Sequence, residues 1–184
     1  MRADRIIETF DVELRLTQFP LHPDTPSEGK ALTDLFAGGG VDLDAYQARV
    51  VQIAAEEGLP YGLRTHTYNS RLAQELAKWG EEQPGGEAIH DALFRAYFVH
   101  GTNLAEIDRL VQIAGSVGLS EEQALRVLER RTHRGRVDED WERSAQFGVT
   151  GVPTFVFGNR GVVGAQPYEA LEELVVRGGG RRRT

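Results

Sequence analysis

The first clear pattern in the chain is an alternation of apolar and polar residues over Val12–Leu16. Side chains along a strand point alternately to the two faces of a sheet, so this period of two predicts a strand that is buried on one side. The prolines at positions 20 and 23 end the pattern. Before it, apolar residues recur at nearly helical spacing, and residues 1–10 are therefore expected to form the last turns of a helix.

A helical pattern replaces the strand pattern between residues 42 and 147, where Gly, Asn or Pro separates successive apolar stripes. Ser120–Gln123 and Asn103–Glu106 both have the form of a capping box, and they predict helices over 104–117 and 121–133. Another helix is expected over 135–147. The stripes that predict the earlier helices are Tyr46, Val50, Ile53 and Ala54; Leu72, Leu76 and Trp79; and Ile89, Leu93, Phe94, Tyr97 and Phe98.

After Gly148 the pattern of a sheet returns. Thr154–Phe157 and residues 162–164 predict a β-hairpin, in which Gly and Asn of the turn at 158–161 supply positive φ angles. Pro167 then suits the first position of a last helix, over residues 168–176. The predicted order is a helix end, a strand, a helical block, two strands and a helix.

Composition restricts the chemistry of the chain. It has 184 residues, a net charge of −7 and no cysteine, so it offers no thiolate nucleophile and no disulfide of its own. The acidic balance argues against nucleic acid and anionic membranes as partners. No signal-peptide pattern is recognisable, which predicts a cytoplasmic location. The five histidines lack the close spacing of a metal site, and no metal is predicted.

The most informative motif is Gly148–Phe155, which reads Gly-Val-Thr-Gly-Val-Pro-Thr-Phe and places a proline where a buried strand begins. With the hairpin and residues 164–167 that follow, it resembles the C-terminal half of the DsbA-like thioredoxin family, particularly the FrnE-type branch. Three other segments match that family in order: Phe19–Pro23, Ile53–Pro60 and Leu93–Phe98. The resemblance covers nearly the whole chain.

The resemblance implies a thioredoxin-like α/β fold with a large helical insertion. Residues 1–40 and 148–177 would form the thioredoxin-like domain, 41–147 the inserted helical subdomain and 178–184 a disordered tail. It also implies a cis bond between Val152 and Pro153, which would expose the backbone of Val152 to an extended substrate. The substrate-binding residues would be Thr150, Gly151, Val152 and Pro153, with Asn69 as either a ligand or a simple helix cap.

The chain departs from the family where the chemistry is carried. The family has a central first strand and a Cys-x-x-Cys motif at the start of its first helix, and neither is found in this sequence. Val12–Leu16 and Thr154–Phe157 would flank that central strand, so we expect a truncated member with no catalytic residue of its own. The implied function is thiol-disulfide oxidoreductase or isomerase, with a protein or small-molecule thiol or disulfide as substrate and no cofactor. A monomer or a homodimer is expected.

Two alternative functions are compatible with the sequence. The 2-hydroxychromene-2-carboxylate isomerases and kappa-class glutathione transferases share this fold and can use a serine, because glutathione provides the thiol. In that case glutathione would be the cofactor, and Gln166 with the start of the last helix would hold its carboxylate. The third possibility is a binding module without catalysis.

Overall fold

The computed structural model describes residues 2–183, and its contacts divide the chain into two compact units. The hairpin unit consists of Met1–Leu21 and Asp140–Thr184, and the helical unit of His22–Glu139. In chain order the elements are α1 (Arg2–Thr9), β1 (Lys30–Ala31), α2 (Leu32–Leu35), α3 (Leu43–Glu56), β2 (His66–Thr67), α4 (Arg71–Gly80), α5 (Ala88–Phe98), α6 (Ile107–Ser116), α7 (Glu121–Arg130), α8 (Arg134–Gln146), β3 (Thr154–Phe157), β4 (Arg160–Val163) and α9 (Tyr168–Arg177).

The hairpin unit is built on the antiparallel pair β3–β4. Phe155 and Phe157 are two positions apart along β3, so their side chains point to the same face of the hairpin, where they pack on a small core. The core residues come from α1, the residue that follows it, and α9; they are Ile6, Phe10, Tyr168, Leu171 and Val175. The hairpin was predicted, but its turn is shorter than expected: Gly158 alone takes a positive φ, of 62°, and β4 begins at Arg160.

The predicted strand at Val12–Leu16 was wrong, because these residues have no regular secondary structure. Leu14 and Leu16 are 45% and 43% exposed, so the expected inward face is not buried. A strand is stable only when a neighbouring strand accepts and donates its backbone hydrogen bonds. Within residues 2–183 no strand lies beside this segment, and the alternation of its side chains therefore has no sheet to join.

The helical unit is organised around α4, in which every residue from Ala73 to Gly80 is buried. Leu76 and Trp79 belong to a core that α5, α6 and α7 complete with Ile89, Leu93, Leu110, Ala114, Ala124 and Leu128. A short ladder pairs Lys30 with Thr67 and Ala31 with His66. This ladder places residues 22–40 in the helical unit, whereas the sequence had assigned them to the thioredoxin-like part.

A buried ion cluster connects three helices of this unit. The Glu75 side chain is fully buried and accepts hydrogen bonds from Arg131 at 2.7 Å and from Arg71 at 2.8 Å. Arg71 also reaches Asp138 of α8 at 2.6 Å. Burial acts to raise the pKa of the Glu75 carboxyl, but the hydrogen bonds and charges of the two arginines outweigh it, and the pKa is lowered.

The two predicted capping boxes have different outcomes. The Ser120 side chain accepts a hydrogen bond from the Gln123 amide at 3.3 Å, which confirms it as the N-cap of α7. The box at Asn103 was wrong, since α6 begins at Ile107 and has Glu106 as its N-cap. The Asn103 side chain instead accepts from the Ala105 amide at 2.9 Å and donates to the Ser27 carbonyl, so it fixes a turn before the helix.

Residues 181–183, part of the predicted tail, form backbone hydrogen bonds with residues 9–11 at the end of α1. The Asp11 amide donates to the Arg181 carbonyl at 2.8 Å, and the Arg183 amide donates to the Thr9 carbonyl at 2.9 Å. These bonds form an antiparallel bridge between Phe10 and Arg182.

In the described chain no helix is long and apolar enough to cross a bilayer.

Candidate substrate-binding loop

The loop that carries the sequence motif connects α8 to β3. Gly148 ends the helix with a φ of 66°, and its amide donates to the Ala145 carbonyl at 2.9 Å. The next amide, of Val149, donates to the Ser144 carbonyl at 3.0 Å, so two of the last carbonyls of α8 are satisfied by the residues that follow it. The chain then leaves the helix as a loop, Thr150–Pro153, which has no regular secondary structure and bends at residues 151–153.

Two hydrogen bonds fix this loop on the hairpin. The Thr154 hydroxyl donates to the Gly151 carbonyl at 2.6 Å, and the Gly164 amide donates to the Pro153 carbonyl at 2.7 Å. The Val152–Pro153 peptide bond is cis, which is the geometry that the family resemblance implies. The residues on either side of Val152 are thus held by the hairpin.

Val152 itself is open to solvent, with 52% of its surface exposed. Within residues 2–183 its backbone N–H and C=O make no hydrogen bond. An exposed residue of this kind, next to a strand, can accept a hydrogen bond from an extended ligand and donate one to it, so that the ligand pairs with it as a strand would. The stretch around it, residues 147–159, contains no charged side chain, so a ligand there would meet backbone groups and apolar side chains.

Gln166 is used in the structure of the unit. Its side-chain amide donates to the Val163 carbonyl at 2.6 Å, and its backbone carbonyl accepts from Arg2 at 2.8 Å. Arg2 also donates to the Ala165 carbonyl at 3.0 Å. Gln166 therefore connects β4 and α1 to the loop before α9. The role of Arg2 was not predicted, because no local motif indicates a contact between residues more than 160 positions apart.

Asn69 lies in the helical unit, whereas the other five predicted site residues lie in the hairpin unit. Its side-chain oxygen accepts from the Arg71 amide at 2.9 Å, next to the start of α4. Its side-chain nitrogen donates to the carbonyls of Pro23 and Thr25, at 3.2 Å and 2.8 Å. The N-cap of α4 is Ser70, so the predicted cap at Asn69 is displaced by one residue, and the Asn69 side chain fixes the turn before the helix.

A β-hairpin backed by two helices and entered through a cis-proline loop is the arrangement of a thioredoxin-like protein. The family model of the DSBA-like thioredoxin domain matches residues 1–176, so this chain belongs to the DSBA-like thioredoxin family. This match confirms the resemblance and the fold class that the motif predicted.

The chain is also similar to individual proteins in sequence and in structure. The uncharacterized protein YwbO of Bacillus subtilis is 25% identical over 178 residues, which are 94% of this chain and 85% of YwbO. The crystal structure of a probable DsbA oxidoreductase from Streptomyces coelicolor has a TM-score of 0.76 and 30% identity, and the similarity covers 86% of this chain and 71% of that one. A 2-hydroxychromene-2-carboxylate isomerase has the same fold, with a TM-score of 0.64, 21% identity and coverage of 73% and 66%.

Proposed function

We propose that this chain binds extended, cysteine-containing segments of thiol or disulfide substrates at the loop Thr150–Pro153, as the substrate-binding part of a DsbA-type oxidoreductase or isomerase. The observation that carries the proposal is at Val152, an exposed residue whose backbone has no hydrogen-bond partner in the described chain. The bonds at Gly151 and Pro153 hold it in place before a ligand arrives. A preorganised loop loses little conformational entropy on binding.

The proposal separates binding from exchange. Thiol-disulfide exchange proceeds through a mixed disulfide, and this 184-residue chain has no cysteine to form one. The chain by itself should therefore bind its ligand without turnover. Reduction of insulin by dithiothreitol should proceed at the reagent rate when the pure protein is added, and a faster rate would contradict this part of the proposal.

The contacts around the last helix favour a peptide over glutathione. The side chain of Gln166, which would hold the glutathione carboxylate, is already bonded to the Val163 carbonyl. Glu169 lies in the first turn of α9 and brings negative charge to the end of the helix that an anion would approach. The affinity for glutathione should accordingly be weaker than the affinity for a cysteine-containing peptide.

Two substitutions at one position test the backbone contact. Val152→Pro removes the N–H that would donate to the ligand, whereas Val152→Ala shortens the side chain and keeps the N–H. The net value of one hydrogen bond predicts roughly three- to tenfold weaker binding of a labelled cysteine-containing peptide by Val152→Pro. Val152→Ala should bind nearly as well as the original chain.

Thermal melts of both variants show whether each remains folded. Equal losses in the two variants would mean that the side chain, and not the backbone, makes the contact. Equal affinity for the peptide and for glutathione would favour the glutathione-dependent reading instead.

A further inference from the structure

The side chain of Arg64, in the helical unit, is held among aromatic rings. The central carbon of its guanidinium lies 4.5 Å from the centre of the Tyr97 ring, 5.0 Å from that of Phe98 and 6.0 Å from that of Tyr61. A guanidinium at such a distance is attracted by the negative face of a ring. The Arg64 amide also donates to the Gln47 side-chain oxygen at 3.1 Å, so both the backbone and the side chain of Arg64 are positioned.

The hydrogen-bonding groups of this guanidinium are mostly unused. Its Nη2 donates to the Tyr61 hydroxyl over a long 3.3 Å, and that hydroxyl is its one hydrogen-bond acceptor among residues 2–183. The Arg64 Nε is buried and has no partner in the described chain. An arginine has five N–H donors and keeps its charge. The other N–H groups of the two terminal nitrogens are therefore left for a partner from outside the chain.

Arg64 also has no carboxylate partner within residues 2–183, although Asp and Glu outnumber Lys and Arg by 28 to 21. Two other arginines of the helical unit differ in this respect. Arg71 and Arg131 both bond to Glu75, at 2.8 Å and 2.7 Å. Taking a cation out of water is costly unless an anion pairs with it. The surroundings of Arg64 are therefore those of an ion pair whose anion comes from another molecule.

The surface beside the guanidinium is apolar. Leu63, the preceding residue, is 75% exposed. Phe94 is 57% exposed, and its ring lies 6.0 Å from the ring of Phe98, which lies 6.0 Å from the ring of Tyr61. Apolar side chains around a single charged group are typical of a site for a small ligand with an apolar body and one polar end.

We propose that Arg64 and the three rings that hold it, called here the Arg64 site, bind an organic carboxylate with an apolar body. The planar guanidinium presents a fork of N–H groups that matches the two oxygens of a carboxylate. The apolar body packs against the exposed side chains of Leu63 and Phe94. A singly charged carboxylate suits the site better than a phosphate dianion, because the net charge of −7 repels the second negative charge. The carboxylate belongs either to a free acid or to the end of a peptide chain.

The Arg64 site goes beyond the proposed function and does not depend on it. All of its residues belong to the helical unit, whereas Val152 belongs to the hairpin unit. It recognises an anion through a charge and aromatic rings, whereas the loop at Val152 offers uncharged backbone groups. With a cysteine-containing peptide whose end is amidated, binding at Val152 reports on the proposed function alone. The two proposals can therefore fail separately.

Calorimetric titration of the full chain tests the site with two matched ligands. Hydrocinnamate is an apolar carboxylate, and its amide has the same body without the charge. The acid is expected to bind in roughly the millimolar range, given its size. The amide should bind at least about tenfold more weakly, because it loses a charge-assisted hydrogen bond. Equal binding of the two ligands, no binding of the acid, or equally tight binding of inorganic phosphate would each overturn the proposal.

Two arginine substitutions show whether Arg64 holds the carboxylate. Arg64→Gln removes the charge and should weaken binding of the acid at least about tenfold. Arg95→Gln is the matched control, because the Arg95 side chain on α5 is 55% exposed and already paired with Asp91 at 2.6 Å. This control should bind the acid as the original chain does. Full binding by Arg64→Gln, or an equal loss in the control, would overturn the proposal.

A measurement on the original chain decides the matter even if Arg64→Gln does not fold. The Arg64 Nε–H is buried, and its nuclear magnetic resonance signal reports directly on the guanidinium. This signal should shift and saturate with hydrocinnamate and stay in place with the amide. A signal that does not respond to the acid would overturn the proposal.

A short peptide distinguishes the two sources of the carboxylate. A tripeptide that ends in phenylalanine is titrated once with a free carboxylate and once amidated. Tighter binding of the free peptide than of hydrocinnamate would identify the end of a protein chain as the natural ligand, and weaker binding would identify a free organic acid. Equal binding of the free and the amidated peptide would overturn the proposal.

Discussion

The two units differ in how their backbone and polar groups are satisfied. In the helical unit, each helix bonds its own backbone, and even the fully buried Glu75 has two arginine partners. In the hairpin unit, Val152 has backbone groups without hydrogen-bond partners in the described chain. Helices complete their hydrogen bonds locally, whereas a strand always requires a neighbour. The recognition proposed for the hairpin unit rests on this difference.

The largest effect is expected from breaking the buried ion cluster. Glu75→Gln removes the charge that compensates Arg71 and Arg131. Removal of one member of a fully buried pair costs about 3–5 kcal/mol in the free energy of unfolding. Because the Arg131 side chain is 41% exposed and is screened by water, a loss below that range is expected. Asp91→Asn is the matched control, because the Asp91–Arg95 pair has side chains that are 69% and 55% exposed. That change should cost at most about 1 kcal/mol. Similar losses from the two substitutions, measured by urea denaturation, would contradict the assigned role of Glu75.

The same carboxyl predicts an acid dependence. Its pKa is lower in the folded state than the unfolded value of about 4.5, so its stabilising effect is fully present above that pH. The effect decreases as the pH falls below about 4.5 and through the folded pKa. The difference in unfolding free energy between the original chain and Glu75→Gln should therefore become smaller on acidification. A difference that stays constant or grows would mean that the pKa of Glu75 is not lowered by folding.

A smaller effect is expected where the tail passes over the hairpin. A Cβ at Gly178 would overlap the Phe157 ring, so Gly178→Ala should destabilise the hairpin unit by about 1–3 kcal/mol through overpacking. Gly135→Ala provides the comparison, since nothing lies within 4 Å of its added Cβ in α8. That substitution should raise stability by up to about 1 kcal/mol. Thermal melts of both variants give the answer, and a neutral Gly178→Ala would show that the tail does not pack on Phe157.

The smallest effect tests the end of one helix. Ser120→Ala removes the side-chain bond to the Gln123 amide and should cost about 1 kcal/mol. Glu106→Ala is the contrast, because Glu106 is the N-cap of α6 without a side-chain cap bond. Its ion pair with Arg109 is exposed and long, at 3.6 Å, so a smaller loss is expected. Equal losses would remove the distinction between the two caps.

What could be predicted from the sequence follows the same division. The cap at Ser120, the hairpin and α9 were predictable because their determinants lie within a few residues. The strand at Val12–Leu16 was predicted from a correct pattern and failed, since pairing depends on a neighbour that the pattern does not specify. Asn103 had the residues of a capping box, but its side-chain oxygen accepts from the Ala105 amide instead, and its side-chain nitrogen donates to the Ser27 carbonyl of a distant segment.

The candidate site was only partly predictable for the same reason. The motif located Thr150–Pro153 and predicted Val152 as the contact residue, and the structure adds that the Val152 backbone has no hydrogen-bond partner in the described chain. Gln166 and Asn69 were plausible ligands by residue type alone. Their side chains are instead bonded to carbonyls of Val163, Pro23 and Thr25, which are contacts that residue type cannot reveal.

The central claim is that recognition takes place at Val152. One titration of the isotope-labelled chain with a cysteine-containing peptide tests it, by following the backbone amide of Val152 and the side-chain amide of Asn69 in the same nuclear magnetic resonance spectra. The account predicts that the Val152 resonance shifts and saturates with the peptide, and that the Asn69 resonance stays unchanged because its contacts are internal. A shift at Asn69 with Val152 unaffected would contradict it.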